Sequence, residues 1–162
     1  MRSAKWDSWR MPETTSWASS PTSRKVMQGN RSRDTKPELA VRKLLHAMGL
    51  RYRVGIRPEP ALRRTADIVF TRQRIAVFID GCFWHGCVQH RPTPAKANSE
   101  YWSRKLAGNI QRDADTTARL ESSGWRVMRF WEHDPPESVA DQVIAAVRGH
   151  ELSKAVPNRR SD

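Results

Sequence analysis

Cys82, Cys87 and His90 fall in a Cys-x4-Cys-x2-His run, which gathers thiolate and imidazole ligands that could wrap a tetrahedral zinc if a fourth joined them. His133 is the candidate fourth, with His85 and His46 as competitors. The competing use of the same residues is two reduced core cysteines beside a surface histidine, and two cysteines are too few for a disulfide framework. A second kind of chemistry rests on carboxylates. Asp67 sits at the start of the apolar run Ala66–Phe70, where a carboxylate without a partner is expensive to desolvate. Asp80 follows the run Ile75–Ile79. Oxygen ligands of this type suit a hard divalent cation, and the alternative is two salt-bridged acids among many arginines.

The elements that must position these groups can be read from local pattern. Thr35, Pro37 and Glu38 predict a helix start with a capping box. Val41, Leu44, Leu45 and Met48 continue it at helical spacing, and Gly49 ends it. A strand is expected over Leu50–Ile56 and a Pro-containing loop over 57–64. Thr71-Arg72-Gln73-Arg74 joins the two apolar runs as a hairpin, which brings Asp67 and Asp80 to one end. Residues 82–97 read as irregular. Glu100–Ser122 reads as a long helix with Trp102, Leu106, Ile110, Thr117 and Leu120 near one face, closed by Gly124. Trp125–Trp131 alternates as a strand, and Pro136 opens a last helix with Val139, Val143, Ile144 and Val147 on its apolar side. The order α, β, β, β, α, β, α predicts an α/β fold with a small mixed sheet flanked by helices. Residues 1–22 read as a disordered tail, 23–34 as a basic DNA-binding arm, 35–148 as the folded domain and 149–162 as a polar tail.

Twenty-nine Lys and Arg against seventeen Asp and Glu give a net charge of +12 over 162 residues. A chain this basic gains affinity for a polyanion by displacing counterions from phosphates, and its seven tryptophans suit stacking on bases. No apolar run approaches the ~20 residues a bilayer crossing needs, and no apolar block follows the first basic residues as a signal peptide requires. A cytoplasmic protein is the expectation.

A carboxylate pair flanking a hairpin resembles the metal-dependent nucleases of the restriction-endonuclease-like class, except that Cys82 stands where their acidic-x-Lys ending has lysine. The departure becomes informative when Gly81-Cys82-Phe83-Trp84-His85 is read with Thr35 to Glu38, Asp67, Tyr101-Trp102, Asn109, Arg112-Asp113 and Gly124-Trp125 through Trp131-Glu132. Over roughly 22–131 the chain resembles the very short patch repair (Vsr) mismatch endonucleases. That resemblance implies a restriction-endonuclease-like core with a structural zinc loop. It further implies Mg2+ bound by Asp67 and the backbone carbonyl of Ile79, and proton handling by His85 with Asp113 as its acidic partner, which accounts for the missing lysine. Glu38 matches another acidic position at the family's active site, with its capping role as a structural alternative. Asp80 stands where other members carry a second histidine, and either adds a metal ligand or is tolerated. Zinc would be held by Cys82, Cys87, His90 and His133, the last in place of a common cysteine. Phe83, Trp84 and Trp102 match an aromatic wedge inserted beside a mismatch, and Met27, Arg24 and Lys25 fall in an arm laid across DNA.

The function implied is a monomeric, Mg2+-dependent endonuclease that nicks 5′ to the T of T:G mismatches left by deamination of 5-methylcytosine in a bacterial nucleoid. MutL would be a partner, and a cytosine-5 methyltransferase the source of the lesion. Alternatives are a related nuclease of broader mismatch or defence specificity, and a catalytically silent, zinc-stabilised DNA-binding module. A mere binder has no need of Asp67, His85 and Asp113 together.

Overall fold

The computed structural model describes residues 33–90 and 99–155. Helix α1 (Lys36–Ala47) is followed by β1 (Arg53–Ile56), β2 (Ala66–Phe70) and β3 (Ile75–Asp80). A single-turn helix α2 (Cys82–His85), the long α3 (Ser99–Ser122), β4 (Arg126–Trp131) and α4 (Pro136–Ala155) complete the order. The sheet runs β1-β2-β3-β4, antiparallel across its first two pairs and parallel between β3 and β4. The mixed α/β expectation is met.

Alternation along the strands divides the sheet into two faces. Ile68, Phe70, Ile75, Val77 and Phe130 pack with Val41 and Leu45 of α1 and Val139, Val143 and Val147 of α4. On the other face, Val69, Ala76 and Phe78 pack with Leu120 of α3 and Trp125. Asp67, Asp80 and Arg129 share the periodicity of this second face. They meet at the end where β2 begins and β3 and β4 finish, so the hairpin register brings the two acids together as the sequence predicts.

Several boundaries differ from the sequence reading, each for a local reason. The helix α1 ends as expected, with Gly49 left-handed at φ 78°. The N–H of Leu50 is spent on the carbonyl of Leu45, and Leu50 and Tyr52 pack on the core, so the strand starts at Arg53 rather than Leu50. The predicted capping box is only partly formed. Thr35 makes no side-chain cap to the helix, and its hydroxyl donates instead to Glu38 at 2.9 Å. Within the stretch read as irregular, Cys82–His85 is helical because the Glu132 carboxylate accepts the Cys82 N–H at 2.7 Å and Gly86, at φ 76°, closes the turn onto the Cys82 carbonyl. Ile110, read near the apolar face of α3, is 47% exposed, and this part of α3 packs on α2 with Ile110 lying over Gly86. The last helix continues to Ala155, past the point where a polar tail is expected to begin.

Candidate active site and metal centre

A cleft of about 1100 Å³ opens at the acidic end of the sheet. It gathers Glu38 from α1, Asp67 from β2, Asp80 from β3, His85 from α2 and Asp113 from α3, all five positions singled out for catalysis. Asp67 accepts the N–H of Ile79 at 2.7 Å through Oδ2. Burial pushes its carboxyl up to about 6 against the pull of that N–H, and the charges of Glu38 and Asp80 push the same way as burial. Among the described residues Asp67 has no ion pair with a lysine or arginine. An acid pressed among acids, with no ion pair among the described residues, is a donor that fits a hard divalent cation.

Glu38 is buried and fully engaged. Its carboxylate accepts the backbone N–H of Asp34 at 3.0 Å, the Thr35 hydroxyl and Arg42 NH2 at 2.7 Å. It thereby ties the start of α1 to the cleft wall, and it reaches Asp67 through charge rather than contact.

His85 and Asp113 form a dyad, with His85 Nδ1 2.5 Å from Asp113 Oδ2. Asp80 Oδ1 lies 3.6 Å from the same nitrogen. Both oxygens of Asp80 accept from Arg129, Oδ2 from Nε at 2.8 Å and Oδ1 from NH2 at 2.7 Å. The same NH2 lies 2.9 Å from Asp113 Oδ1. Burial works against the Arg129 charge, but Asp80 and Asp113 together hold the guanidinium more firmly protonated than usual. His85 is thus anchored through Nδ1, and among the described residues its Nε2 has no hydrogen bond.

The four residues expected to hold zinc come together behind this wall. Cys82, Cys87, His90 and His133 each place one ligand atom within 4.8 Å of all the others. Cys82 Sγ is 3.7 Å from His90 Nδ1 and 3.0 Å from His133 Nδ1; Cys87 Sγ is 3.7 and 3.8 Å from the same two nitrogens. Tetrahedral zinc with Zn–S about 2.3 Å and Zn–N about 2.0 Å requires an S···N edge of about 3.5 Å, so the donor set fits. Both cysteines are buried and unpaired to each other by any disulfide. Burial, with Cys87 and Glu132 close by, pushes the Cys82 thiol up to about 12. Cys87 is also buried, yet the N–H groups of His90 and Gln89 hold it below its ordinary value. A cation at the centre would take over the role of that proton.

The aromatic positions form one cluster at the cleft edge. Phe83 meets Trp84 at 4.8 Å and Trp102 at 5.7 Å between ring centroids, Trp84 and Trp102 are 6.0 Å apart, and Tyr101 joins through Trp102. Phe83 is 40% exposed. Lys105 Nζ lies 5.2 Å from the Trp84 ring centre and 5.6 Å from that of Trp102, so flat apolar faces and a cation share one surface. Asn109 of α3 donates to the Trp84 carbonyl at 2.9 Å and fixes α2 against the long helix.

Comparison with known proteins reads this geometry further. Residues 18–91 match the family described as DNA mismatch endonuclease Vsr. DNA mismatch endonuclease Vsr of Escherichia coli K12 is 33% identical over 111 residues, 68% of this chain and 69% of that protein. The chain belongs to the Vsr family of DNA mismatch endonucleases. Type II nicking enzyme V.NaeI of Lentzea aerocolonigenes is 46% identical over 123 residues, covering 75% of this chain and 72% of the relative. Type II nicking enzyme V.NmeDIP of Neisseria meningitidis serogroup C is 42% identical over 136 residues, 81% and 90% of the two chains.

Within this Vsr-family chain, three contributors to the site are given no role by the sequence reading, although two of them lie inside the matched run 124–132. Arg129 looks like one more surface cation in an arginine-rich chain, Glu132 like a polar residue after a strand, and Arg42 like the outer face of α1. Only the parallel pairing of Asp80 with Trp131 brings Arg129 and Glu132 to the cleft. The arm residues Arg24, Lys25 and Met27 lie outside the described residues. Among the described residues no helix is long and apolar enough to cross a membrane.

Proposed function

We propose that this Vsr-family endonuclease is Mg2+-dependent and strand-specific, and nicks 5′ to the T of T:G mismatches produced by deamination of 5-methylcytosine. The observation that carries this reading is the convergence on one cleft of Asp67, the His85–Asp113 dyad and the rings of Phe83 and Trp84, which Trp102 backs. Asp67 and the Ile79 carbonyl would hold the cation, which supplies charge stabilisation for a phosphodiester under attack by water. Cys82, Cys87, His90 and His133 would hold a structural zinc.

The remaining work falls to the chain. Asp113 accepts from Nδ1 and so selects the tautomer in which Nε2 is free to take a proton from the attacking water. Phe83, Trp84 and Trp102 offer ring faces to a base step. Unstacking costs a few kcal/mol and least where pairing is already defective, so a mismatch is selected because it opens most readily.

End-labelled duplexes carrying each mismatch in turn, with and without Mg2+, test the reading. Nicking confined to the T strand of T:G, lost on removing Mg2+, is expected. Equal cutting of several mismatches would replace it with a nuclease of broader specificity, and binding without cutting would replace it with a silent DNA-binding module.

Trp84→Ala is expected to lose preference for T:G over paired duplex, since stacking is worth about 1 to 3 kcal/mol per base and only an opened step accepts the ring. Arg24→Ala in the basic segment should weaken both duplexes alike and flatten the salt dependence. Binding titrations at two salt concentrations separate the two; equal weakening of both duplexes by Trp84→Ala would return that ring to a packing role.

A further inference from the structure

Arg129 makes contacts that neither a surface cation nor a DNA-binding cation needs. Its guanidinium lies over the Phe78 ring at 4.8 Å and is shared between two acids. Nε and NH2 close a fork on Asp80, and NH2 also reaches Asp113. NH1 is buried without a hydrogen-bond partner among the described residues. Little of the group is therefore available to a phosphate, and its geometry is committed to carboxylates.

Those carboxylates stand in different relations to the cleft. Asp113 has one oxygen on Arg129 and the other on His85. Asp80 has both oxygens on Arg129. Two acids on strand β3 and helix α3, each close to His85, repel one another, and Asp113 would be free to rotate away from the imidazole without a cation between them. A planar fork can bridge both at once; a point charge on a flexible stem cannot.

We propose that Arg129 is a positioning residue of the active site, holding Asp113 in the orientation that fixes His85, and that Asp80 serves as the anchor of Arg129 rather than as a ligand of the catalytic cation. This rests on the reading that His85 handles the proton of the attacking water. The fork makes Asp80, at a position where the family resemblance implies histidine, functional only together with an arginine two residues before Trp131.

Single-turnover nicking and equilibrium binding of a T:G duplex, measured on zinc-loaded full-length Arg129→Met, test the proposal. The rate is expected to fall 10- to 100-fold, the range typical of losing an orienting partner, with duplex binding within about threefold. Arg129→Lys, which keeps the charge, is expected to fall about as far; it covers the case in which Met at this partly buried position fails to fold. Asp80→Asn/Arg129→Met is expected to recover part of the loss, because the uncompensated acid is gone. A ring-nitrogen spectrum of His85 supplies a readout independent of rate, with Nδ1 protonated in the parent and both tautomers populated in Arg129→Met.

Parental rates in folded Arg129→Met, or full activity in Arg129→Lys, would overturn the proposal. So would an unchanged His85 tautomer, or an Asp80→Asn variant whose loss is rescued by raising Mg2+, the mark of a metal ligand. His85→Ala distinguishes the two levels. If it nicks at the parental rate, the proton-handling reading fails; if it is inactive while Arg129→Met is normal, only the positioning role of Arg129 fails.

Discussion

Replacing Asp67 with asparagine is expected to slow nicking by roughly 10³-fold or more, a loss of about 4 kcal/mol in transition-state stabilisation, while mismatch binding stays within several-fold. Unlike Asp34, Glu38, Asp80 and Asp113 beside it, the carboxylate has no ion pair among the described residues, and asparagine keeps its shape and its bond from Ile79 while removing the charge a cation needs. Phe83, Trp84 and Trp102 stand on other elements and are untouched.

The same substitution carries a stability signature of opposite sign. An unfolded Asp67 titrates at 3.8 and the folded one at about 6. Between those values the folded chain retains a proton the unfolded chain has released, so stability falls as pH rises through that window, and above it the full cost is present, roughly 2 to 3 kcal/mol. Without added Mg2+, Asp67→Asn should be more stable than the parent, by a margin that grows by about 1 kcal/mol between pH 5 and pH 7.5. Urea denaturation at the two pH values measures it. Parental nicking by the variant would remove Asp67 from catalysis, and a margin that shrinks with rising pH would contradict its burial as a charge.

Stripping the cation from the Cys/His cluster should have the largest effect on the fold itself. Purified protein is expected to contain one zinc per chain and to lose it on Cys87→Ala, with a drop of several kcal/mol and hence about 10 °C or more in melting temperature. The reason is local. Residues 82–90 place only the two cysteines in buried positions, so the segment cannot fix its own shape by apolar packing. Metal analysis of protein prepared without chelator, paired with thermal melts, checks this. No zinc in the parent would refute the site, and intact zinc in His133→Ala would assign the fourth ligand to another residue.

What was legible in the sequence was what short-range pattern controls. The Gly49 stop, the hairpin between Phe70 and Ile75 and the convergence of Cys82, Cys87, His90 and His133 follow from spacing, alternation and ligand chemistry. The contacts of Arg129 and Glu132 were not, because their partners lie 49 and 50 residues away and depend on β4 lying parallel to β3 in one register. Periodicity marks a strand without naming its neighbour. The helical turn at Cys82 was missed for the same reason, since its cap comes from Glu132. The exposure of Ile110 was not legible either, because a helical stripe does not reveal which of its positions a neighbour covers.

The single turn Cys82–His85 sets, in four successive residues, a thiol of the Cys/His cluster, two rings of the aromatic edge and the imidazole of the dyad. These parts share one short turn, so whatever displaces its backbone displaces them together. If the cluster holds zinc as proposed, a chain without the metal is expected to lose the seating of His85 together with that of the Phe83 and Trp84 rings, so nicking and mismatch preference should both follow zinc content.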